Sequence, residues 1–275
     1  MDIIQAIIIG LVQGLTEFLP VSSSAHLIFA HHILGVGSNM AFDVMLHVGT
    51  LVAVVVFFFK DILLLIYAFI LSIKDLFTGN FVKGLREESY KRLAWYIIIA
   101  TIPIGIVGVA FNSTIEEIFT GVNIPAFFLL ITGCLLYFSQ RINSGKINQE
   151  NLTLKESFIV GCGQAIAILP GLSRSGTTIS TSLGLGFDKE FAAKFSFLLS
   201  IPAILGAGIV EIKDMTLSSG EIGIYIAGFI IAAVSGYLAI KFLLTLIQKR
   251  NLDIFAYYCW IVGIIVLIGC LIFGW

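Results

Sequence analysis

Three ionisable residues, Glu17, His26 and Arg174, stand in stretches that are otherwise apolar, each within a short string rich in hydroxyls. A charge at the centre of a bilayer costs about 2.5–3.5 kcal/mol on insertion scales, so residues of this kind mark function. Gln13 and Glu17, spaced i and i+4, share a helix face. A carboxylate there can bind a divalent cation or accept a proton; the alternative is a polar seam packed against another helix. Ser23 and His26, spaced i and i+3, fall on one face of a helix beginning near Val21, the combination a nucleophile and its base would use. Further along, GLSRSGTT puts Ser173, Arg174, Ser175, Thr177 and Thr178 at the start of a helix. Exposed N–H groups and the positive end of the helix dipole make such a start a phosphate seat, and the planar guanidinium of Arg174 suits two phosphate oxygens at once. The competing reading is that Arg174 pairs with Glu17 or with helix-end carbonyls to lock the fold.

Positioning these groups requires two broken helices. The strings QGLTEFLPVSSSAHL (Gln13 to Leu27) and GQAIAILPGLSRSGTT (Gly163 to Thr178) each interrupt a helical apolar run at a proline, Pro20 and Pro170. Proline removes a backbone donor and clashes with the preceding turn. Around them the chain is lipid-like, with 58% hydrophobic and 12% charged residues and a mean hydropathy of +1.03. That composition defines an all-α polytopic membrane protein. The net charge of −1 offers no basic surface for nucleic acid, which is excluded as a partner. The start, MDIIQAIIIG, has neither a basic n-region nor a small-residue cleavage site, so the first helix is expected to stay.

Apolar runs near 42–72, 92–111, 124–141, 190–211, 221–247 and 254–273 are each about the 20 residues needed to cross a hydrocarbon core roughly 30 Å thick. Residues 2–19 with 22–35, and 154–169 with 172–187, form two pairs of shorter helices. Their polar tips favour re-entrant hairpins, because irregular backbone survives at membrane depth only where protein or a wet cavity satisfies it. The expected architecture is thus six transmembrane helices plus two re-entrant helical hairpins. Lys60, Lys74, Lys83, Arg86, Lys91, Arg92, Arg141, Lys146, Lys155, Lys189, Lys194, Lys241, Lys249 and Arg250 then collect on one face, with Lys213 on the other and Arg174 at a hairpin tip. The excess marks the cytoplasmic face, which leaves both termini outside.

The halves also match. Ile8 to Gln13 (IIGLVQ) aligns with Ile159 to Gln164 (IVGCGQ), and after one gap Leu19-Pro20 aligns with Leu169-Pro170. A unit of one hairpin and three spans crosses an odd number of times, so the second copy enters from the opposite face. This predicts an inverted-topology repeat within a single membrane domain, 1–275, with repeat one at about 1–142 and repeat two at about 153–275.

Other residues read as scaffold. His31, His32 and His47 are assigned to packing or the interface, and Asp43 to a helix cap. Glu116, Glu117, Glu211, Asp214 and Glu221 decorate external loops, while the segment from Lys60 to Arg92 snorkels or lies on the inner surface. Trp95, Trp260 and Trp275 are expected at interfacial belts, and Cys134, Cys162, Cys259 and Cys270 as small buried hydrophobes. Gly184 with Gly186 is too weak a pattern to specify an oligomer.

The strings QGLTEFLPVSSSAH (Gln13 to His26) and PGLSRSGTT (Pro170 to Thr178) resemble the two signature motifs of the undecaprenyl-diphosphatase family of the bacitracin-resistance type, and the likeness extends end to end in length and helix order. The resemblance implies a phosphatase of the plasma membrane that converts undecaprenyl (polyprenyl) diphosphate to the monophosphate, recycling the carrier for cell-wall glycan synthesis, with its site open to the outer side. It implies a divalent cation, Mg²⁺ or Ca²⁺, near the acidic pair that here maps onto Gln13 and Glu17; Gln13 leaves one carboxylate fewer. It maps the nucleophile and acid/base positions onto Ser23 and His26, with Ser23, His26 or water as the attacking group, and phosphate binding onto Ser173, Arg174 and Thr178, beside Ser175.

Inverted repeats with broken helices are also built into transporters, so a lipid-phosphate flippase or anion carrier is the competing reading. A type-2 phosphatidic-acid phosphatase needs a histidine downstream of its Ser-Arg element, whereas all four histidines here precede residue 48. An intramembrane Ser/His protease has no use for Arg174 and so many hydroxyls.

Overall fold

A computed structural model describes every residue except 38, 112–120, 143–144, 212–221, 249–251 and 275. Expectations for Glu116, Glu117, Lys213, Asp214, Glu221, Lys249, Arg250 and Trp275 therefore fall outside the described residues, as does the side chain of Glu211. Among the described residues the chain is helical, in the order α1 (Ile3–Phe18), α2 (Ser23–Ile33), α3 (Met40–Phe57), α4 (Phe59–Phe77), α5 (Phe81–Glu87), α6 (Ser89–Ala110), α7 (Asn123–Ser139), α8 (Leu154–Ile166), α9 (Arg174–Gly184), α10 (Lys189–Glu211), α11 (Ile222–Gln248) and α12 (Asp253–Phe273).

Both hairpins begin with a capping box. Asp2 and Gln5 exchange backbone-to-side-chain hydrogen bonds of 2.8 Å at the start of α1, and Thr153 and Glu156 do the same for α8; each box satisfies two orphan helix donors. Leu19, ahead of Pro20, is extended at ψ 140°, the conformation a following proline enforces. The second hairpin breaks differently. Ile168 and Leu169 donate to the carbonyls of Ala165 and Ile166, three residues back, so the helix tightens and ends at Ile166, before Pro170 rather than at 169. Gly171, at φ +96°, then turns the chain into α9.

Five helices, α3, α6, α10, α11 and α12, are long and apolar enough to cross a membrane. The sixth expected span, α7, has 17 residues and is about 26 Å long. The run expected as one span over 42–72 is broken at Phe58, where α3 ends and α4 begins. Just past the break, Asp61 accepts from Lys194 Nζ at 2.6 Å and from Tyr90 Oη at 3.1 Å, anchoring the start of α4 by charge rather than continuing α3. Outward faces of the long helices are apolar, among them Ile102 and Ile106 on α6, Ile226 and Ile230 on α11, and Ile261 and Ile265 on α12, as hydrocarbon requires.

Packing crosses between the halves. Helix α1 lies along α11 and α8 lies along α6. Each approach is made at a glycine: a Cβ on Gly10 would sit 2.7 Å from the Gly228 carbonyl oxygen, and one on Gly161 would sit 2.3 Å from that of Ala100. Small residues at helix contacts let backbones approach this closely in lipid. Phe18 of α1 meets Phe197 of α10 edge-on, with ring centroids 5.7 Å apart, within the core under the hairpin tips.

Several scaffold expectations are corrected. Asn39, not Asp43, caps α3, and Asp43 pairs with His31 at 3.0 Å. Trp260 sits two turns inside α12 and donates its indole N–H to the Leu130 carbonyl, so it is a packing residue between α12 and α7. Of the cysteines only Cys259 is buried; Cys134 is exposed on an apolar helix and Cys162 and Cys270 are half-buried.

Candidate active site

The two hairpin tips meet, and they meet at Glu17. Its side chain is 5% exposed, in the buried last turn of α1 just ahead of the Pro20 break. Oε1 takes a hydrogen bond from the Arg174 guanidinium of the second hairpin. Oε2 accepts from Gln13 Nε2 at 2.9 Å and from the Ser23 hydroxyl at 2.6 Å. His47 of α3 brings Nε2 to 3.9 Å from the same oxygen. One buried carboxylate therefore gathers a guanidinium, an amide, a hydroxyl and an imidazole from three helices and the first turn of α2.

Local geometry puts these groups there. Ser22 caps α2 at φ +68°, the one non-glycine residue with positive φ among the described residues. Strain of this kind persists where surrounding structure imposes it, commonly at functional sites. In the second hairpin the Ser173 side chain caps α9 by accepting from the Gly176 amide at 3.0 Å, while its own N–H donates to Thr132 Oγ1. Ser175 Oγ donates to the Leu19 carbonyl at 3.3 Å, tying one tip to the other.

A cavity of about 200 Å³ opens over this cluster. Its floor is polar, with Glu17, Ser22, Ser23, Ser24, His47, Ser173 and Arg174; its walls are apolar, from Val44 and Val48 of α3, Ile104 of α6, the loop before α9 and Ala203, Ile204, Ala207 and Gly208 of α10. Glu17, Ser23, Ser173 and Arg174 are thus brought together. Ser175 and Thr178 do not line the cavity; Thr178 is fully buried and its hydroxyl is spent on the Arg174 carbonyl and on Ser196 Oγ at 2.6 Å.

The Ser23–His26 pairing expected from spacing does not form. His26 Nδ1 donates to the Ser22 carbonyl at 2.8 Å, and Nε2 is bonded to Tyr258 Oη at 2.8 Å with the two rings stacked. Ser23 turns to Glu17 instead. The histidine that does face the cavity is His47, which sequence reading assigned to packing. An ionisable residue in the middle of an 18-residue apolar helix was the available signal.

The residues present do not form a resident cage for the divalent cation that the resemblance implies. Gln13 presents its amide nitrogen, not its oxygen, to Glu17, and the single carboxylate is already neutralised by Arg174. No group of three His, Cys, Asp or Glu side chains that could hold a metal ion occurs among the described residues.

A polytopic helical membrane protein with an Arg–carboxylate cluster between two broken helices defines the class, and comparison with known proteins supplies the family. Residues 6–265 match the family described as bacitracin resistance protein BacA, and the chain belongs to it. It is 64% identical over 271 residues, 98% of each chain, to the undecaprenyl-diphosphatase of Methanobrevibacter smithii. It is 50% identical over 270 residues, again 98% of each, to that of Methanosphaera stadtmanae, and 44% identical to that of Alkaliphilus metalliredigens over 99% of this chain and 100% of the relative.

Proposed function

We propose that this protein is an integral membrane phosphatase that hydrolyses undecaprenyl (polyprenyl) diphosphate to the monophosphate and inorganic phosphate, recycling the lipid carrier for cell-wall glycan synthesis and thereby conferring bacitracin resistance. The observation that carries the reading is the junction of Arg174 and Ser23 on one buried carboxylate beneath a cavity with a polar floor and apolar walls. A diphosphate headgroup on a prenyl chain has the same division of polarity.

Glu17 does two jobs in this reading. It holds the Arg174 fork at the cavity floor, where the guanidinium stabilises charge on the transferring phosphoryl oxygens. It also fixes the Ser23 hydroxyl by accepting its proton in a 2.6 Å hydrogen bond, which leaves the Oγ lone pairs for the terminal phosphorus. Ser23 is the attacking group, and the first turn of α9, capped by Ser173, supplies the positive helix end. The divalent cation that the resemblance implies would arrive with the diphosphate rather than on a protein cage, and would offset phosphate charge there. Phosphate release should stop when EDTA removes it and return when Mg²⁺ or Ca²⁺ is added.

The finer architecture belongs to the same reading: six spans, two re-entrant hairpins and an inverted repeat, with repeat one at about 1–142 and repeat two at about 153–275, a site open to the outer side and both termini outside. Gly10 and Gly161 support it, because they align between the halves and each seats its hairpin on a long helix, α11 or α6. A flippase or anion carrier would bind the headgroup without cleaving it, and a serine hydroxyl held on a carboxylate serves cleavage rather than passage. The test is release of inorganic phosphate from farnesyl or undecaprenyl diphosphate by the purified protein in detergent. Saturable binding with no release would establish the carrier instead.

A further inference from the structure

We infer that His47 is the proton relay of the phosphoryl-transfer step, taking from Glu17 the proton that Ser23 gives up. The inference rests on the phosphatase reading above. It starts from the tautomer. His47 Nδ1 lies 2.8 Å from the Asp43 carbonyl oxygen, which can only accept, so Nδ1 carries the hydrogen and the neutral ring keeps its lone pair on Nε2. That nitrogen faces Glu17 Oε2 at 3.9 Å, the oxygen to which Ser23 Oγ is bonded at 2.6 Å. Both side chains line the cavity.

Glu17 cannot serve as the final acceptor. A proton left on it would strand the Arg174 guanidinium, 17% exposed, without its counter-charge, and an uncompensated buried charge is strongly unfavourable. The neighbouring imidazole removes that difficulty. His26, the other histidine near the tips, has its Nε2 lone pair taken up by the Tyr258 hydroxyl. The charged groups that line the cavity with His47 are Glu17 from α1 and Arg174 from α9. Helices α6 and α10 present only apolar residues to the cavity, α11 meets α3 through Phe229 and Ala232, and the Asp43 carboxylate is engaged by His31 of α2.

The step balances. Ser23 Oγ bonds to the terminal phosphorus as the bridging P–O bond breaks, and the bond's electron pair leaves on the prenyl monophosphate. The Ser23 proton crosses to Glu17 Oε2 and, once the 3.9 Å gap closes to hydrogen-bond length in the substrate complex, on to His47 Nε2, so Glu17 stays a carboxylate paired with Arg174. Water then attacks the phosphoserine: its oxygen bonds to phosphorus, the Oγ–P bond breaks and Oγ recovers the proton from Nε2. One water proton stays on the released phosphate, and the other passes to Nε2 and then to solvent at the cavity mouth.

The test is steady-state phosphate release from farnesyl diphosphate by purified wild type, His47→Gln and His47→Ala in detergent, with and without added imidazole. The expected result is a kcat lowered about 10²-fold or more in both variants, a KM changed less than about threefold, and partial rescue of His47→Ala by imidazole but not by a non-basic analogue such as thiazole. Thermal unfolding of both variants at the wild-type temperature separates lost chemistry from lost fold. A His47→Gln kcat within threefold of wild type overturns the relay and leaves the phosphatase reading standing, as does a loss appearing in KM alone or an unrescued loss with lowered thermal stability. A wild type that binds farnesyl diphosphate and releases no phosphate overturns both.

Discussion

In the first hairpin Gln13 gives its amide N–H to Glu17, whereas in the second Gln164, at the aligned position, is fully buried with neither amide atom bonded among the described residues. The difference follows from one position. Where the first hairpin has Glu17, the second offers Ala167 or Ile168, depending on where the single gap falls, and both line the cavity wall. The second hairpin contributes Arg174 from the far side of its break instead. Two matching scaffolds thus supply complementary halves of one site, acid and hydroxyl from one tip, guanidinium and helix start from the other. Similar folding does not require similar chemistry.

The sharpest way to break this comparison is to remove either half of the ion pair. Arg174→Ala and Glu17→Ala should each lower phosphate release by about 10³-fold or more, measured on purified protein. Each single change also strands the opposite buried charge, at a cost of about 3–5 kcal/mol, so the double variant should be more thermally stable than either single one while remaining inactive. A double variant less stable than both would mean that the two hairpins are not held together through this pair.

A smaller effect is expected at the glycines. Gly10→Leu and Gly161→Leu each force a side chain against backbone closer than 3 Å, which should destabilise by about 1–3 kcal/mol and lower the unfolding temperature in detergent. Tolerance at one position and not the other would argue against equivalent hairpin seats. The smallest effect separates the glutamines. Gln164→Met removes two unpartnered buried polar atoms and should leave stability unchanged or raise it, with turnover intact, because an apolar group of similar shape carries no desolvation penalty. Gln13→Met removes a donor from Glu17 and should lower turnover.

The hairpins were legible because their punctuation is local. Pro20, the serines beyond it, Gly171 and the Thr153–Glu156 capping box act within a few residues, and the helices expected at 2–19 and 22–35 appear at Ile3–Phe18 and Ser23–Ile33. The break at Phe58 was not legible, since the apolar run continues through it and the deciding partners, Lys194 and Tyr90, lie far along the chain. The same reason separates Ser23 from His26. Spacing i and i+3 puts two residues on one face, but Glu17 and Tyr258 determine where each side chain bonds. His47 was passed over because nothing in the sequence links it to Glu17, thirty positions back, and only the fold sets the two side by side.

The Arg174–Glu17 contact spans 157 positions of the chain, and that separation bears on biogenesis. While the ribosome has delivered only the first half, the carboxylate at the end of α1 has no guanidinium to meet, and burying it unpaired is strongly unfavourable. The early tip is therefore expected to stay open to water until the second tip emerges, which couples maturation of the pocket to completion of the polypeptide.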